Sequence, residues 1–257
     1  MITFLSDFGT SDYFVAAVKG VIKTMAPLAE VVDITHQIPP QDIASASFTL
    51  SACYQEFPRG TVHLAVVDPG VGSSRHPLVI ESAGHFFVGP DNGLFTFALD
   101  ADPGWRAVSA CRREKLRPAT SATFHGRDIF APLAAHLQNG AGIDELGEKL
   151  TDPVRLDIQA PVLEGNRFSG SVIHIDRLGN CITNLPFDEA PDPIAFEIAG
   201  RKVEAIVSYY AEVYDKSALF AYPGSAGYWE FGLWQDSASE RLGIRRGDTV
   251  KAVVRTQ

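Results

Sequence analysis

Cysteine is scarce in this chain. Cys53, Cys111 and Cys181 are the only three in 257 residues, an odd and scattered set with no CxxC pair. That excludes a disulfide scaffold and a thiolate metal site, and it fits a reducing cytoplasm. None of the seven histidines shows HExxH spacing or a ligand-like cluster, so no catalytic metal is expected. Basic charge is also short. A formal charge of −9 makes nucleic acid an unexpected partner. No apolar run approaches the length of a membrane span, and "MITFLSDFG" meets Asp7 too early for a secretory leader. No internal repeat or low-complexity tract occurs. The expectation is a soluble cytoplasmic protein, and 46% hydrophobic residues is the composition of a folded one.

The first half alternates strand-like and helix-like stretches. "ITFLS" ends at Asp7, and a helix capped by Asp12 follows, with Phe14, Ala17, Val18, Val21, Ile22 and Met25 at helical spacing. "EVVDI" reads as a strand, and a second helix is predicted from about Gln41 to Phe57. "TVHLAVV" is a third strand ending at Asp68; "PLVIES" and "HFFVG" read as two more, and "PDNG" as a turn. "RDIFAPLAAHLQNG" predicts a helix from near Asp128, with Pro132 in its first turn or at a kink. This order predicts an α/β N-terminal domain over residues 1–152 with a largely parallel central sheet. Residues 153–165 are rich in Pro, Asp and Gly and read as a linker. Residues 166–257 carry short alternating runs separated by turn signals, the pattern of a small all-β, barrel-like domain.

Ligands of open α/β sheets bind beyond the carboxyl ends of the strands, and Asp7 and Asp68 stand there. Asp7 reads either as a turn or cap residue or as a carboxylate for ribose hydroxyls. Asp68 and Arg75 in "VVDPGVGSSRHPLVIES" read either as a loop-stapling ion pair, worth about 0–1 kcal/mol if exposed, or as part of a site. "GVGSSR" is not a dinucleotide fingerprint, because Arg75 replaces the third glycine and a strand follows instead of a helix. "TFHGRD" supplies His125, Arg127 and Asp128 before a helix; a lone His there is either structural or catalytic. Neither 6–12 nor 121–125 has a GxSxG elbow, which argues against an ordinary serine hydrolase. "HIDRLGNCITNL" places Asp176, Asn180 and Asn184 around a glycine turn, either as turn-stabilising side chains or as a polar binding cluster. A last loop system holds Ser225, Tyr228, Trp229 and Ala238.

In order along the chain, "LSDFGTSDYFVAAVKGVI", "VVDITH", "VVDPGVGSSRHPLVIES", "VGPDNGLF", "TFHGRDIFAP", "HIDRLGNCITNL" and "GSAGYWEF…SASERLGIRRGD" resemble the S-adenosyl-L-methionine hydroxide adenosyltransferases, relatives of the fluorinating and chlorinating enzymes. The resemblance spans nearly the whole chain. It implies a homotrimer with the ligand held between one subunit's N-terminal domain and its neighbour's C-terminal domain. It implies a catalytic Asp68, Arg75 and His125, ribose binding by Asp7, and an amino-acid head held by Asp176, Asn180 and Ser225. It implies substrate binding by Tyr228, and the backbone near Ala238 matches the adenine-binding strand and loop, where "WQDSAS" departs from the more usual "NRGNAA". The implied reaction is hydrolysis of S-adenosyl-L-methionine to adenosine and L-methionine, with water or hydroxide attacking ribose C5′ and no cofactor. The halogenating relatives lack the acid and histidine, so the His125–Gly126 pair favours hydrolysis. The alternatives are a halide-dependent adenosyl halide synthase, a non-catalytic binder of adenosine or S-adenosylmethionine, and a protein-contact module.

Overall fold

The structure, a computed structural model, describes residues 1–117, 121–189 and 193–254. The chain divides into two compact units, Met1–Asp157 and Ile158–Gln257.

The first unit runs β1 (Ile2–Ser6), α1 (Phe14–Met25), β2 (Val31–Thr35), α2 (Ile43–Ser51), β3 (Val62–Val66), β4 (Pro77–Ser82), β5 (His85–Pro90), α3 (Thr96–Ala101), β6 (Arg106–Ser109), α4 (Ala131–Gln138) and β7 (Glu148–Lys149). Its seven strands form one sheet in the order β2-β1-β3-β5-β4-β6-β7. Every residue of β1 and β3 is buried, as strands covered on both faces require. Ile2, Phe4, Val62, Leu64 and Val66 join α1 and α4 in one core cluster. Leu5, Ala65 and Val67 face the other way, onto Leu50 of α2 and Ala98 and Leu99 of α3.

The sheet is parallel only in half of its width, which corrects the expectation of a largely parallel one. β2, β1, β3 and β5 pair in parallel, whereas β4, β6 and β7 pair antiparallel. The cause is local. Only Ala83 and Gly84 separate the paired Ser82 and His85, both with positive φ (50° and 82°). A two-residue turn of that hand joins adjacent antiparallel strands; a parallel pair needs a crossover.

Two helix starts also differ from expectation. α1 begins at Phe14 with Tyr13 as its cap, so Asp12 does not cap it. α2 covers Ile43–Ser51, capped by Asp42, whose Oδ1 accepts from Ser45 N at 3.0 Å, and a separate single turn covers Tyr54–Glu56.

The second unit runs β8 (Val162–Glu164), β9 (Arg167–Ile175), β10 (Cys181–Pro186), β11 (Pro193–Ile198), β12 (Arg201–Val203), β13 (Ala205–Ile206), β14 (Phe220–Pro223), β15 (Tyr228–Gly232), α5 (Ala238–Leu242) and β16 (Thr249–Val254). β8 lies inside the 153–165 stretch and pairs with β9. The sheet order is β12-β11-β16-β9-β10-β15-β14-β13. The sheet is barrel-like, but among the described residues no ladder joins β12 to β13, so it is not closed by hydrogen bonds. Nor is the unit all-β: α5 interrupts it, with Ser237 Oγ accepting from Glu240 N at 3.0 Å. One face buries Phe168, Val172, Phe196, Phe231 and Val250. The opposite face of β14 and β15 carries a smaller cluster with Val213, Phe220 and Tyr222.

Candidate active site

Asp7 and Asp68 follow the ends of β1 and β3, and His125 precedes α4. The loop after β3 turns back twice: Val71 N donates to Asp68 O at 3.2 Å, and Ser73 N to Gly70 O at 3.0 Å. Gly72 takes φ +80° between them, a conformation that needs glycine. The double turn returns Arg75 to Asp68. Arg75 Nε donates to Oδ1 at 3.0 Å and Nη2 donates to Oδ2, a forked pair. The side chains are 6% (Asp68) and 10% (Arg75) exposed. This is not a surface staple. A desolvated pair has to be satisfied by its surroundings. The guanidinium lies over the Phe130 ring, 5.1 Å from its centre.

Arg75 Nη2 also donates to His125 Nδ1 at 2.7 Å, so the Asp68–Arg75 loop and a histidine 50 residues further on form one network. Burial and the adjacent Arg75 cation both push the His125 imidazole below its ordinary pKa of 6.5. Nδ1 accepts, so the neutral ring carries its proton on Nε2.

His125 leads into a π turn over Gly126–Phe130 that runs on into α4. Pro132 explains the irregularity. Its ring cannot donate to the carbonyl four residues back, and the Asp128 carbonyl accepts from Arg117 N at 3.3 Å instead. Gly126 lets the turn approach Phe8: a Cβ there would stand 3.2 Å from Phe8 Cζ.

Asp7, Asp68, Phe8, Phe124, His125 and Gly126 line one cavity of about 170 Å³. Asp7 Oδ2 accepts from Gln41 N at 2.8 Å, and Gln41 takes φ 66°, unusual outside glycine. Residues not singled out from sequence hold the Asp7 loop in place. His36 Nδ1 bonds Ser6 Oγ at 2.8 Å, Ser6 Oγ accepts from Phe8 N, and the His36 carbonyl accepts from Gly9 N at 2.8 Å. His36 Nε2 lies 3.1 Å from Asp33 Oδ1, and Lys19 Nζ donates to Asp33 Oδ2 at 2.5 Å. Asn92 was likewise hidden in a turn signal. Its Nδ2 donates at 2.9 Å to the carbonyl of Val67, the residue before Asp68.

In the second unit, the β9–β10 turn gathers Asp176 and Asn180. Asp176 Oδ1 accepts from Leu178 N and Asn180 N, both at 2.8 Å, and Oδ2 accepts from Asn180 Nδ2 at 2.9 Å. The segment around Ala238 packs on the same turn. Ser239 N donates to Gly179 O at 3.0 Å, and a Cβ on Gly179 would collide with Ser237. Ala238 is fully buried. Asn184 is structural: Oδ1 accepts from Ser171 N and Nδ2 donates to Gln159 O. Ser225 is not brought to this cluster. It is exposed in the β14–β15 turn, at the Tyr228 end of β15, whereas Asn180 packs against Gly232 at the other end, about 13 Å along the strand.

The comparisons with known proteins agree with these two units. The model of the SAM hydroxide adenosyltransferase N-terminal domain matches residues 2–147, and that of the C-terminal domain matches residues 170–251. A protein named (R)-S-adenosyl-L-methionine hydrolase from Thermus thermophilus is 41% identical, with 96% of this chain and 97% of that protein covered. One of the same name from Methanocaldococcus jannaschii is 34% identical, covering 98% and 95%. A fluorinase from Actinoplanes is more distant, 26% identical with 72% and 71% covered. A solved structure of an uncharacterized conserved protein from Thermotoga maritima matches with a TM-score of 0.91 at 35% identity, covering 98% of this chain and all of that one. From both domain matches and from full-length relatives above 30% identity, this chain belongs to the SAM hydroxide adenosyltransferase family.

Proposed function

We propose that the protein hydrolyses S-adenosyl-L-methionine to adenosine and L-methionine by in-line attack of water or hydroxide at ribose C5′. One observation carries this reading. The partly buried Asp68–Arg75–His125 network opens, through Asp68 and His125, on the same cavity as Asp7, at the carboxyl end of the parallel strands. The names of the full-length relatives support it, and they specify the (R) sulfonium epimer.

The sulfonium leaves as a neutral thioether, so no general acid, metal or cofactor is required. The new bond joins water oxygen to C5′; the C5′–S bond breaks and its electron pair goes to sulfur. The water proton needs an acceptor. His125 Nδ1 is occupied by Arg75, and Nε2 already carries hydrogen, so the ring serves as a donor that orients the nucleophile. Asp68 keeps free lone pairs beyond those used by Arg75 and takes the proton. Fixing the nucleophile in line supplies up to about 7–11 kcal/mol, and the carboxylate adds roughly 10²–10⁴-fold. Asp7 holds the ribose hydroxyls, Asp176 and Asn180 take the α-ammonium group, and the Tyr228 and Ala238 segments take the remainder of the substrate. Ser225 is left outside this grouping. The active assembly is a homotrimer in which a neighbour's C-terminal domain completes each site. Three free thiols suit the cytoplasm as its compartment.

The test is turnover of the (R) epimer in water enriched with heavy oxygen, with and without chloride or fluoride. Label on the adenosine 5′ hydroxyl, at a rate independent of halide, is the expected result. Unlabelled adenosine would remove C5′ as the site of attack. A 5′-halo-5′-deoxyadenosine product would identify a halide-dependent synthase, and binding without turnover a sensor.

A further inference from the structure

Behind the Asp176–Asn180 turn lies a chain of polar side chains that the reaction itself does not use. Asn180 Oδ1 is 3.1 Å from Tyr210 Oη, Tyr210 Oη is 2.9 Å from Tyr222 Oη, and Tyr222 Oη is 2.8 Å from Glu230 Oε2. Asn180, Tyr222 and Glu230 are buried, at 5%, 8% and 8% exposure. Tyr222 and Glu230 face each other across the β14–β15 ladder. Gly224 makes room for the carboxyl, since a Cβ there would overlap Glu230 Oε1.

Counting hydrogens decides the state of this chain. Asn180 Nδ2 donates to the Asp176 carboxylate, which cannot donate back, so Asn180 Oδ1 must be an acceptor. Three oxygen–oxygen contacts follow, from Asn180 to Tyr210, to Tyr222 and to Glu230. Each needs one hydrogen. The two phenols supply two. The third has to come from the Glu230 carboxyl. All contacts are then satisfied in one direction: Glu230 to Tyr222, Tyr222 to Tyr210, Tyr210 to Asn180, Asn180 to Asp176. An ionised Glu230 would take the Tyr222 hydrogen and leave the single Tyr210 hydrogen to be shared between Tyr222 and Asn180, a costly arrangement. Burial independently raises the pKa of the Glu230 carboxyl and outweighs the Tyr222 hydrogen bond, which lowers it; the nearby Asp176 charge adds to the rise.

We propose that Glu230 is a proton-bearing positioning residue, whose carboxyl hydrogen completes a one-way chain that locks the Asn180 amide against Asp176 and aims that carboxylate at the substrate's α-ammonium group. The aiming role rests on the reading above that Asp176 binds the amino-acid head; the protonation of Glu230 does not.

Two measurements test it. The infrared difference spectrum between the native protein and Glu230→Gln at neutral pH should contain the carbonyl stretch of a protonated carboxylic acid. Bands of an ionised carboxylate alone would overturn the proton count. Product inhibition then tests the aiming. Glu230→Ala and Tyr222→Phe should each weaken inhibition by L-methionine about 5-fold, the equivalent of one hydrogen bond, while inhibition by adenosine stays as in the native protein. Glu230→Gln keeps a donor at that position and should restore L-methionine inhibition to within about twofold of native. KM should rise in the two disruptive variants with kcat nearly constant. Equal weakening toward adenosine and L-methionine would mean general loosening and end the positioning role. Asp176→Ala separates the two claims. If it weakens L-methionine inhibition while Tyr222→Phe does not, the relay fails and the Asp176 reading stands. If Asp176→Ala has no effect, the Asp176 reading fails, and the aiming role with it.

Discussion

At the scale of single residues, Arg75 does two jobs with one guanidinium: it forks onto Asp68 and donates to His125. A proton on Nδ1 would face a donor, so His125 resists protonation, in line with its lowered pKa. The neutral form is therefore retained down through pH 6.5 and lost only below it. The kcat/KM profile should be flat from pH 8 to about 6.5 and fall at lower pH; an acid limb centred above 6.5 would contradict this arrangement. Asp68→Asn keeps the shape of the side chain and removes its charge. It should lower kcat by about 10²–10⁴-fold and change KM little. Activity within tenfold of native would return Asp68 to a structural part. From sequence, Asp68 and Arg75 were visible as a pair of unusual turn residues, but their burial was not. Exposure separates an ion pair of small effect from a built site, and it depends on packing by Phe130 from elsewhere in the chain.

At the scale of elements, the parallel half of the sheet was legible because β1 and β3 are short, mostly apolar runs followed by acids. The antiparallel half was missed because Ala83–Gly84 is a weaker turn signal than Asn-Gly or Asp-Gly. Asn92 shows a different limit: its contact with the Val67 carbonyl spans 25 residues, and no local pattern announces it. The place of Ser225 shows a related limit, since the order of residues does not show which end of β15 meets the Asp176 turn. Close packing gives the element-scale prediction. A Cβ on Gly89 of β5 would stand 2.2 Å from the Ala65 carbonyl of β3 and 2.9 Å from Phe95. Gly89→Ala should destabilise the first unit by about 1–3 kcal/mol, measured by urea denaturation, with loss of activity following stability. An unchanged midpoint would mean that β5 can shift away from β3 freely.

At the scale of the whole molecule, acid stability should be set by buried imidazoles. His63 lies in β3 with no exposure, bonded through Nδ1 to Thr3 Oγ1 at 2.8 Å, and burial pushes its pKa to about 3. His36 and His85 shift the same way. Between about pH 3 and 6.5 the unfolded chain binds the proton and the folded one does not. Stability is therefore fully present above 6.5 and declines as pH falls, by about 1.4 kcal/mol per unit for His63 alone. Lowering pH from 7 to 5 should reduce Tm by about 4–8 °C, and His63→Asn should lessen the fall. A Tm that rises on acidification would refute the assignment. The alternating runs of the second unit were readable as strands, whereas α5 was too short to carry a helical period of its own.

The π turn before α4 holds one residue more than an ordinary helical turn would, in the span from Gly126 to Phe130. Deleting a single position there would let α4 stay seated on the sheet while the chain upstream swivelled by about 100°. The imidazole would then face away from the guanidinium with every side chain of the network still present. In this enzyme the bearing of its histidine is written in a surplus of backbone, and an inventory of side chains alone would not reveal its loss.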